Sequence, residues 1–310
     1  MAVALAGAGA SAEVHAAAAA TLGWELVAVA SRSMARAEAR ATAWGTRAVA
    51  YDDLPAGAGV VVVCTPPSHH LPIARQVLAA GAAVVVEPLL AATLDEADAL
   101  VQVAEAAPGR VGYGEALAYA PGVLAFLRRL PALGVIGHLA ARVTPPAPAE
   151  RPLAEPGAHV LAVLLLAARP ARPLGVRARP GGDGGVAVEL ELDDGRLASL
   201  AIGVGGASLP LWDLEVAGAS GVLRLELAPA PLLEHDGAPL ALPAPRTPEP
   251  RLDEYGYAGM LAALGDDVRA GRRPFMDAAF GRDVLAVVLA AEASMAADGA
   301  TVAVPLRPAR

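Results

Sequence analysis

The sequence contains no lysine: all 24 basic residues among its 310 are arginine. A Schiff base or general acid on lysine is therefore excluded. The arginines form no basic block, and the formal net charge is −8 with a pI near 5.3. Binding a phosphate backbone needs a cationic footprint, so no nucleic-acid partner is expected. The single cysteine, Cys64, excludes an internal disulfide and a cysteine metal cluster, and suits a reducing cytoplasm. Histidines and acids are scattered without metal-ligand spacing, so no metal is expected. No uninterrupted apolar run approaches the ~20 residues of a membrane helix, and no membrane partner is expected. The apolar N-terminus MAVALAGAGA lacks the basic segment of a secretory signal.

What is present is an apolar chain, 55% hydrophobic, much of it alanine. Its length fits ~2 domains. Ala2–Leu5 reads as a short strand running into Gly7-Ala8-Gly9-Ala10-Ser11-Ala12, followed by a helical stretch over Glu13–Leu22 and a strand over Glu25–Ala30. In the order strand, glycine turn, helix, strand, the pattern G-x-G-x-x-A signals dinucleotide binding. Gly7 allows the tight turn, Gly9 lets the backbone approach a pyrophosphate, and small Ala12 lets the helix pack on the sheet. Gly7, Gly9, Ala10, Ser11 and Ala12 are thus the expected pyrophosphate contacts, at a helix N-terminus that favours anions.

Alternation continues with helices over Met34–Trp44, Leu71–Ala80 and Leu94–Ala106. Between them lie strands over Val60–Val63, Val84–Val86 and Arg110–Gly112. Continuous apolar strands alternating with helices imply a doubly wound parallel sheet. After Gly114 a helix near Pro121–Leu130 gives way to hairpins around Asp194-Gly195, Ser220-Gly221 and Asp236-Gly237. Apolar Val160–Ala168 suits a core helix, and amphipathic helices near Glu254–Ala270 and Asp277–Ala296 follow. The Pro-rich segments Thr144–Pro156 and Ala241–Pro250 read as loops. The expected class is α/β. A Rossmann sheet fills residues 1–114. An α+β domain with a mostly antiparallel open sheet fills residues 115–310, its C-terminal helices able to pack back on the first.

The sequence resembles the glucose-fructose oxidoreductase / inositol dehydrogenase (Gfo/Idh/MocA) family over nearly its whole length. The likeness rests on GAGASAEVH (Gly7–His15), CTPPSHH (Cys64–His70), AGAAVVVEPLLAATLDEADAL (Ala80–Leu100) and EALAYAPGV (Glu115–Val123). It continues through LGVIGHL (Leu133–Leu139), EPGAHVLAVLL (Glu155–Leu165) and AGRRPFMDAAFGRDVLAVVLAAEAS (Ala270–Ser294). The resemblance implies an NAD(P)-dependent oxidoreductase moving hydride between nicotinamide and a secondary alcohol or ketone. It also implies a homodimer or homotetramer joined through the C-terminal sheet. The family's Glu-Lys-Pro hallmark falls on Glu87-Pro88-Leu89, so Glu87 remains and the lysine does not. The family's histidine, commonly its acid/base, falls on His159, with Glu155 as the first acid of that segment and Ala162 in place of the second.

At the end of the second strand stands Ser31-Arg32-Ser33, where an NAD site usually has an acid for the ribose hydroxyl. A guanidinium forks onto a 2′-phosphate, so NADP(H) is the expected cofactor, with NAD(H) possible; the alternative is a solvated arginine beside a capping serine. Cys64, Thr65, Pro66, His70 and Glu87 occupy the cofactor-facing ends of the next strands. His70 suits pocket lining or simple capping equally, and Cys64 reads most simply as a buried strand-end residue. The candidate catalytic groups are His159, Glu87, Glu115 and Tyr119, the last two standing after the fifth strand. His159 reads as an acid/base or as a packing residue at a helix start. The expected substrate is a small molecule. Two rivals remain: a non-redox lyase or dehydratase using the same groups, and a catalytically weak nucleotide-binding protein.

Overall fold

The computed structural model describes residues 1–182, 184–205, 211–244 and 249–307. It divides into two compact units, Met1–Tyr119 with Pro245–Arg282, and Ala120–Ala244 with Asp283–Arg310.

The first unit opens with β1 (Ala2–Ala6), α1 (Ala10–Thr21), β2 (Glu25–Ala30), α2 (Met34–Trp44) and β3 (Ala48–Val49). It continues with β4 (Val60–Val63), α3 (His70–Ala79), β5 (Ala83–Val86), α4 (Leu94–Ala106) and β6 (Val111–Tyr113). The six strands form one sheet in the order β3-β2-β1-β4-β5-β6, every pair parallel. Strands β4 and β5 are buried on both faces, which is why they read as unbroken valine runs. Capping follows the local sequence. The Ser33 hydroxyl accepts from Arg36 N–H to start α2, and the Thr93 hydroxyl accepts from Glu96 N–H to start α4. Left-handed Gly45 ends α2.

The second unit is built on a sheet. Its elements are α5 (Pro121–Arg129), β7 (Ile136–Thr144), α6 (Ala158–Ala168), β8 (Pro173–Pro180), β9 (Val186–Leu192) and β10 (Leu197–Ile202). Then come β11 (Leu211–Gly218), β12 (Gly221–Ala228), β13 (Leu232–His235) and β14 (Ala238–Leu240). Three helices follow: α7 (Pro250–Glu254) and α8 (Tyr257–Ala270), which belong to the first unit, and α9 (Ala278–Ala296), within which the division falls. A short β15 (Val302–Ala303) completes a nine-stranded sheet, β14-β13-β12-β11-β7-β10-β9-β8-β15. All pairings in it are antiparallel except β10 with β7. Strand β9 alternates buried and exposed residues along its whole length, the mark of a sheet with one covered face.

Several expectations need correction. Helix α1 starts at Ala10, inside the glycine motif, three residues before the expected Glu13. The helix expected near Glu254–Ala270 is α8, which starts three residues later at Tyr257 after left-handed Gly256, while Glu254 closes the short α7. Strands β7 and β8 carry alanine, arginine and proline in place of the β-branched runs that mark strands, and sequence reading passed over both. Part of the Ala241–Pro250 loop lies outside the described residues. Among the described residues, no helix is long and apolar enough to cross a membrane.

Candidate active site

In the first unit, the strand order reverses between β1 and β4, and a crevice outside the carboxyl ends of the strands is where such sheets bind ligands. The Gly7–Ala12 turn sits at this point. Gly7 has φ +129°, and a Cβ there would stand 2.4 Å from the Cys64 carbonyl oxygen, so only glycine lets the turn close on the neighbouring strand. Gly9 is the extended residue before α1, and a Cβ on it would meet nothing within 4 Å. Gly9, Ala10 and Ser11 are exposed, while Ala12 is fully buried. The first N–H groups of a 12-residue helix thus face open space behind a glycine, the arrangement that accepts a pyrophosphate. The residues present fit a bound dinucleotide.

At the end of β2, the Ser31 hydroxyl accepts from Ser33 N–H at 3.3 Å, and Ser33 caps α2. Arg32 is exposed between them. Tyr51 packs against this corner; burial pushes its phenol up, while Arg32, through its backbone and its charge, pulls it back.

At the ends of β4, β5 and β6 the fold gathers Cys64, Thr65, Glu87, Tyr113 and Glu115. Glu87 follows β5, and its Oε1 lies 2.7 Å from His15 Nε2 on α1. The histidine is wholly buried and the glutamate side chain is 15% exposed. The Tyr257 ring, from α8, stands edge-on to His15 with centroids 5.4 Å apart. Burial, then Glu87 and Glu115, push the Tyr257 phenol up; burial, Glu115 and Glu87 do the same to Tyr113. The Cys64 thiol is pushed well up by burial and by Glu87. All three groups stay protonated at neutral pH and sense carboxylate charge.

His15, Cys64 and Glu87 offer ligand atoms within 4.8 Å of one another, a cluster invisible in the sequence spacing. The His15–Glu87 contact, however, is a hydrogen bond at 2.7 Å, shorter than the ~3.3 Å between donors in a tetrahedral site with bonds near 2 Å. As it stands, the pair holds a proton between its atoms.

Other expected residues divide by environment. His70 is fully buried, with Nε2 2.7 Å from the Thr65 carbonyl and Nδ1 3.1 Å from the Leu90 carbonyl. Burial lowers its pKa, opposed by those carbonyls. It ties two loops together, in place of the pocket lining or simple capping expected of it. Pro66 precedes a short 3₁₀ turn, Pro67–His69, that leads into α3. Glu115 is fully buried and accepts from Leu117 N–H at 3.2 Å. The Tyr119 hydroxyl accepts from Met276 N–H at 3.3 Å, its ring stands edge-on to Phe275, and burial pushes it up to about 12. Tyr119 is thus bound into the structure as an acceptor.

In the second unit His159 is the second residue of α6 and half-buried. The turn before it runs close to its neighbours: a Cβ on Gly157 would stand 2.7 Å from the Pro152 carbonyl oxygen and 2.8 Å from Ile202 Cδ1. Glu155, at the start of that segment, is exposed.

Sequence reading missed His15 and Tyr257. His15 lies three residues after Ala12, on the same buried face of α1, a spacing that could have pointed to it. Tyr257 is separated from the motif by most of the chain, and no local signal marks it.

The six-stranded parallel sheet and the glycine turn define an α/β protein with a Rossmann sheet. Residues 1–115 match the GFO_IDH_MocA model, described as "Oxidoreductase family, NAD-binding Rossmann fold". No curated protein matches. Solved structures share the fold across the whole chain. GenD2 from gentamicin A biosynthesis, in complex with NAD, is 22% identical at a TM-score of 0.81, covering 98% of this chain and 96% of that one. A myo-inositol dehydrogenase from Corynebacterium glutamicum is 22% identical at 0.81, covering 100% and 99%. That of Lactobacillus casei, in complex with NAD(H) and myo-inositol, is 19% identical at 0.82, covering 100% and 98%.

Proposed function

We propose that the protein is an NADP(H)-dependent oxidoreductase of the Gfo/Idh/MocA type, moving hydride between nicotinamide and a secondary alcohol or ketone. The observation that carries this reading is the open Gly9 at the start of α1, with Gly7 closed against Cys64. Solved proteins of the same fold that are described as acting on inositols or a nucleotide sugar support a sugar-like or polyol substrate. Residues 1–114 bind the dinucleotide, and residues 115–310 supply substrate contacts and the assembly surface, with Tyr257 contributing to the first site.

In this reading Gly7, Gly9 and the N–H groups of Ala10, Ser11 and Ala12 hold the pyrophosphate. Ser31, Arg32 and Ser33 hold the 2′-phosphate. Cys64, Thr65, Pro66 and Glu87 border the nicotinamide half, and His70 fixes the loops that carry them. The bound cofactor supplies the hydride. His159 moves the proton through an imidazole nitrogen, since histidine is the side chain whose ordinary pKa suits exchange near neutrality. Glu115 and Tyr119 act by shape, being engaged with the backbone. The nine-stranded sheet joins subunits into a homodimer or homotetramer in the cytoplasm.

The complete absence of lysine keeps a second reading in play, a lyase or a weak nucleotide-binding protein on the same scaffold. A panel of inositols and nucleotide sugars, incubated with the full chain and NADP⁺ or NADPH, separates them. Change in cofactor absorbance supports the oxidoreductase. Substrate consumption with unchanged cofactor would replace it with the lyase, and saturable binding without turnover with the binding protein.

A further inference from the structure

We propose that Glu87 makes the nicotinamide end of the site select the oxidised, cationic form of the cofactor over the reduced, neutral form. The inference rests on the cofactor reading above and adds to it which redox form is held and which residue decides.

A doubly wound sheet binds a dinucleotide across its switch point, one mononucleotide on each half. Here the switch point lies between β1 and β4, and the glycine turn and Arg32 belong to the β1–β2 side. The nicotinamide half therefore falls over the ends of β4, β5 and β6, where the chain places Cys64, Glu87 and Glu115. Two of these three residues carry a carboxyl group. Cys64, Tyr113 and Tyr257 are three acids on three different elements, and carboxylate charge acts on each of them in the direction that keeps it protonated.

The pyridinium ring of NADP⁺ carries a positive charge that hydride addition removes. A carboxylate nearby attracts the first form and is indifferent to the second. At an effective dielectric of ~20, opposite unit charges within some 10 Å change affinity by about 10-fold. Tighter binding of the oxidised form makes the bound couple more reducing by about 30 mV for each tenfold, since two electrons are transferred. The bound reduced cofactor is then a stronger hydride donor, which favours reduction of the substrate carbonyl to the alcohol. His15 keeps the Glu87 carboxylate in place through the 2.7 Å bond.

Calorimetric titration of the full chain with NADP⁺ and with NADPH tests the proposal without any substrate. The expected result is a Kd for NADPH about 10 times that for NADP⁺. Glu87→Gln keeps an oxygen to accept from His15 Nε2 and removes the charge, so the ratio should fall to near 1. Affinity for 2′,5′-ADP, which lacks the nicotinamide, should stay unchanged. Equal wild-type affinities, tighter NADPH binding, or a ratio that survives Glu87→Gln would overturn the assignment while leaving the cofactor reading intact. The wild-type ratio needs no variant, and a value near or below 1 overturns the assignment even if Glu87→Gln fails to fold. Binding of neither form would remove the cofactor reading itself, and this inference with it.

Discussion

Replacing His15 by alanine removes a wholly buried ring, its 2.7 Å bond to Glu87 and its edge contact with Tyr257. A hydrogen bond to a charged group contributes about 1.5–3 kcal/mol net. An edge-on aromatic contact adds ~0.5–1.5 kcal/mol. Glu87 keeps 15% exposure, so water can reach part of the carboxylate that loses the imidazole. The expected loss is therefore roughly 2–4.5 kcal/mol, taken from the hydrogen-bond and ring terms. For a unit of this size each kcal/mol lowers Tm by ~2–4 °C, so the transition of the first unit should fall by roughly 4–18 °C. A urea-melt double-mutant cycle with Glu87→Ala isolates the pair. It should show a coupling of about 1.5 kcal/mol or more, because alanine removes both the acceptor and the charge. A coupling below ~0.5 kcal/mol, the limit of additivity for independent sites, would refute the view that this pair fixes the carboxylate.

Arg32→Ala should weaken NADPH by ~10–100-fold and NADH far less, since a charge-assisted pair contributes about 1.5–3 kcal/mol; equal losses in calorimetry would show that Arg32 does not read the 2′-phosphate. His159→Ala should lower kcat by ~100–10,000-fold with NADPH affinity nearly intact, the range for a general acid–base group; unchanged kcat in a steady-state assay would remove His159 from the chemistry. The raised Cys64, Tyr113 and Tyr257 groups stabilise the fold at pH values below their ordinary pKa of 9.0 for the thiol and 10.0 for the phenols. That contribution is lost as pH rises through the raised folded values. Tm should thus decline from about pH 9 upward, and a flat profile between pH 8 and 11 would contradict the assigned burial.

Much of the first unit was legible because its signals are local. The four valines of β4, the helix beginning at Met34 and the helix beginning at Leu94 are each specified locally, and all three lie where the pattern put them. The second sheet was legible as hairpins but not as a sheet of nine, since β7 meets β10 in parallel across more than fifty residues, and no turn announces such a pairing. The site divides in the same way. The glycine turn is a contiguous motif and could be read. His15, which bonds Glu87, lies 72 residues away on α1, and Tyr257 comes from a helix beyond the second sheet; only folding brings them together. His70 shows the reverse case, a residue with apt chemistry in an apt place that the fold spends on two backbone carbonyls.

Whether a nicotinamide dinucleotide lies across the Gly7–Ala12 turn is decided by one titration. NADPH is added to the wild-type chain and to Gly9→Asp, and heat is recorded at matched protein concentration, with circular dichroism confirming that both are folded. The wild type should bind saturably. Gly9→Asp directs a carboxylate into space that is open within 4 Å of the Cβ position, where the pyrophosphate would lie, and should abolish binding through bulk and like charge. A folded Gly9→Asp variant that binds NADPH as tightly as the wild type would contradict the account.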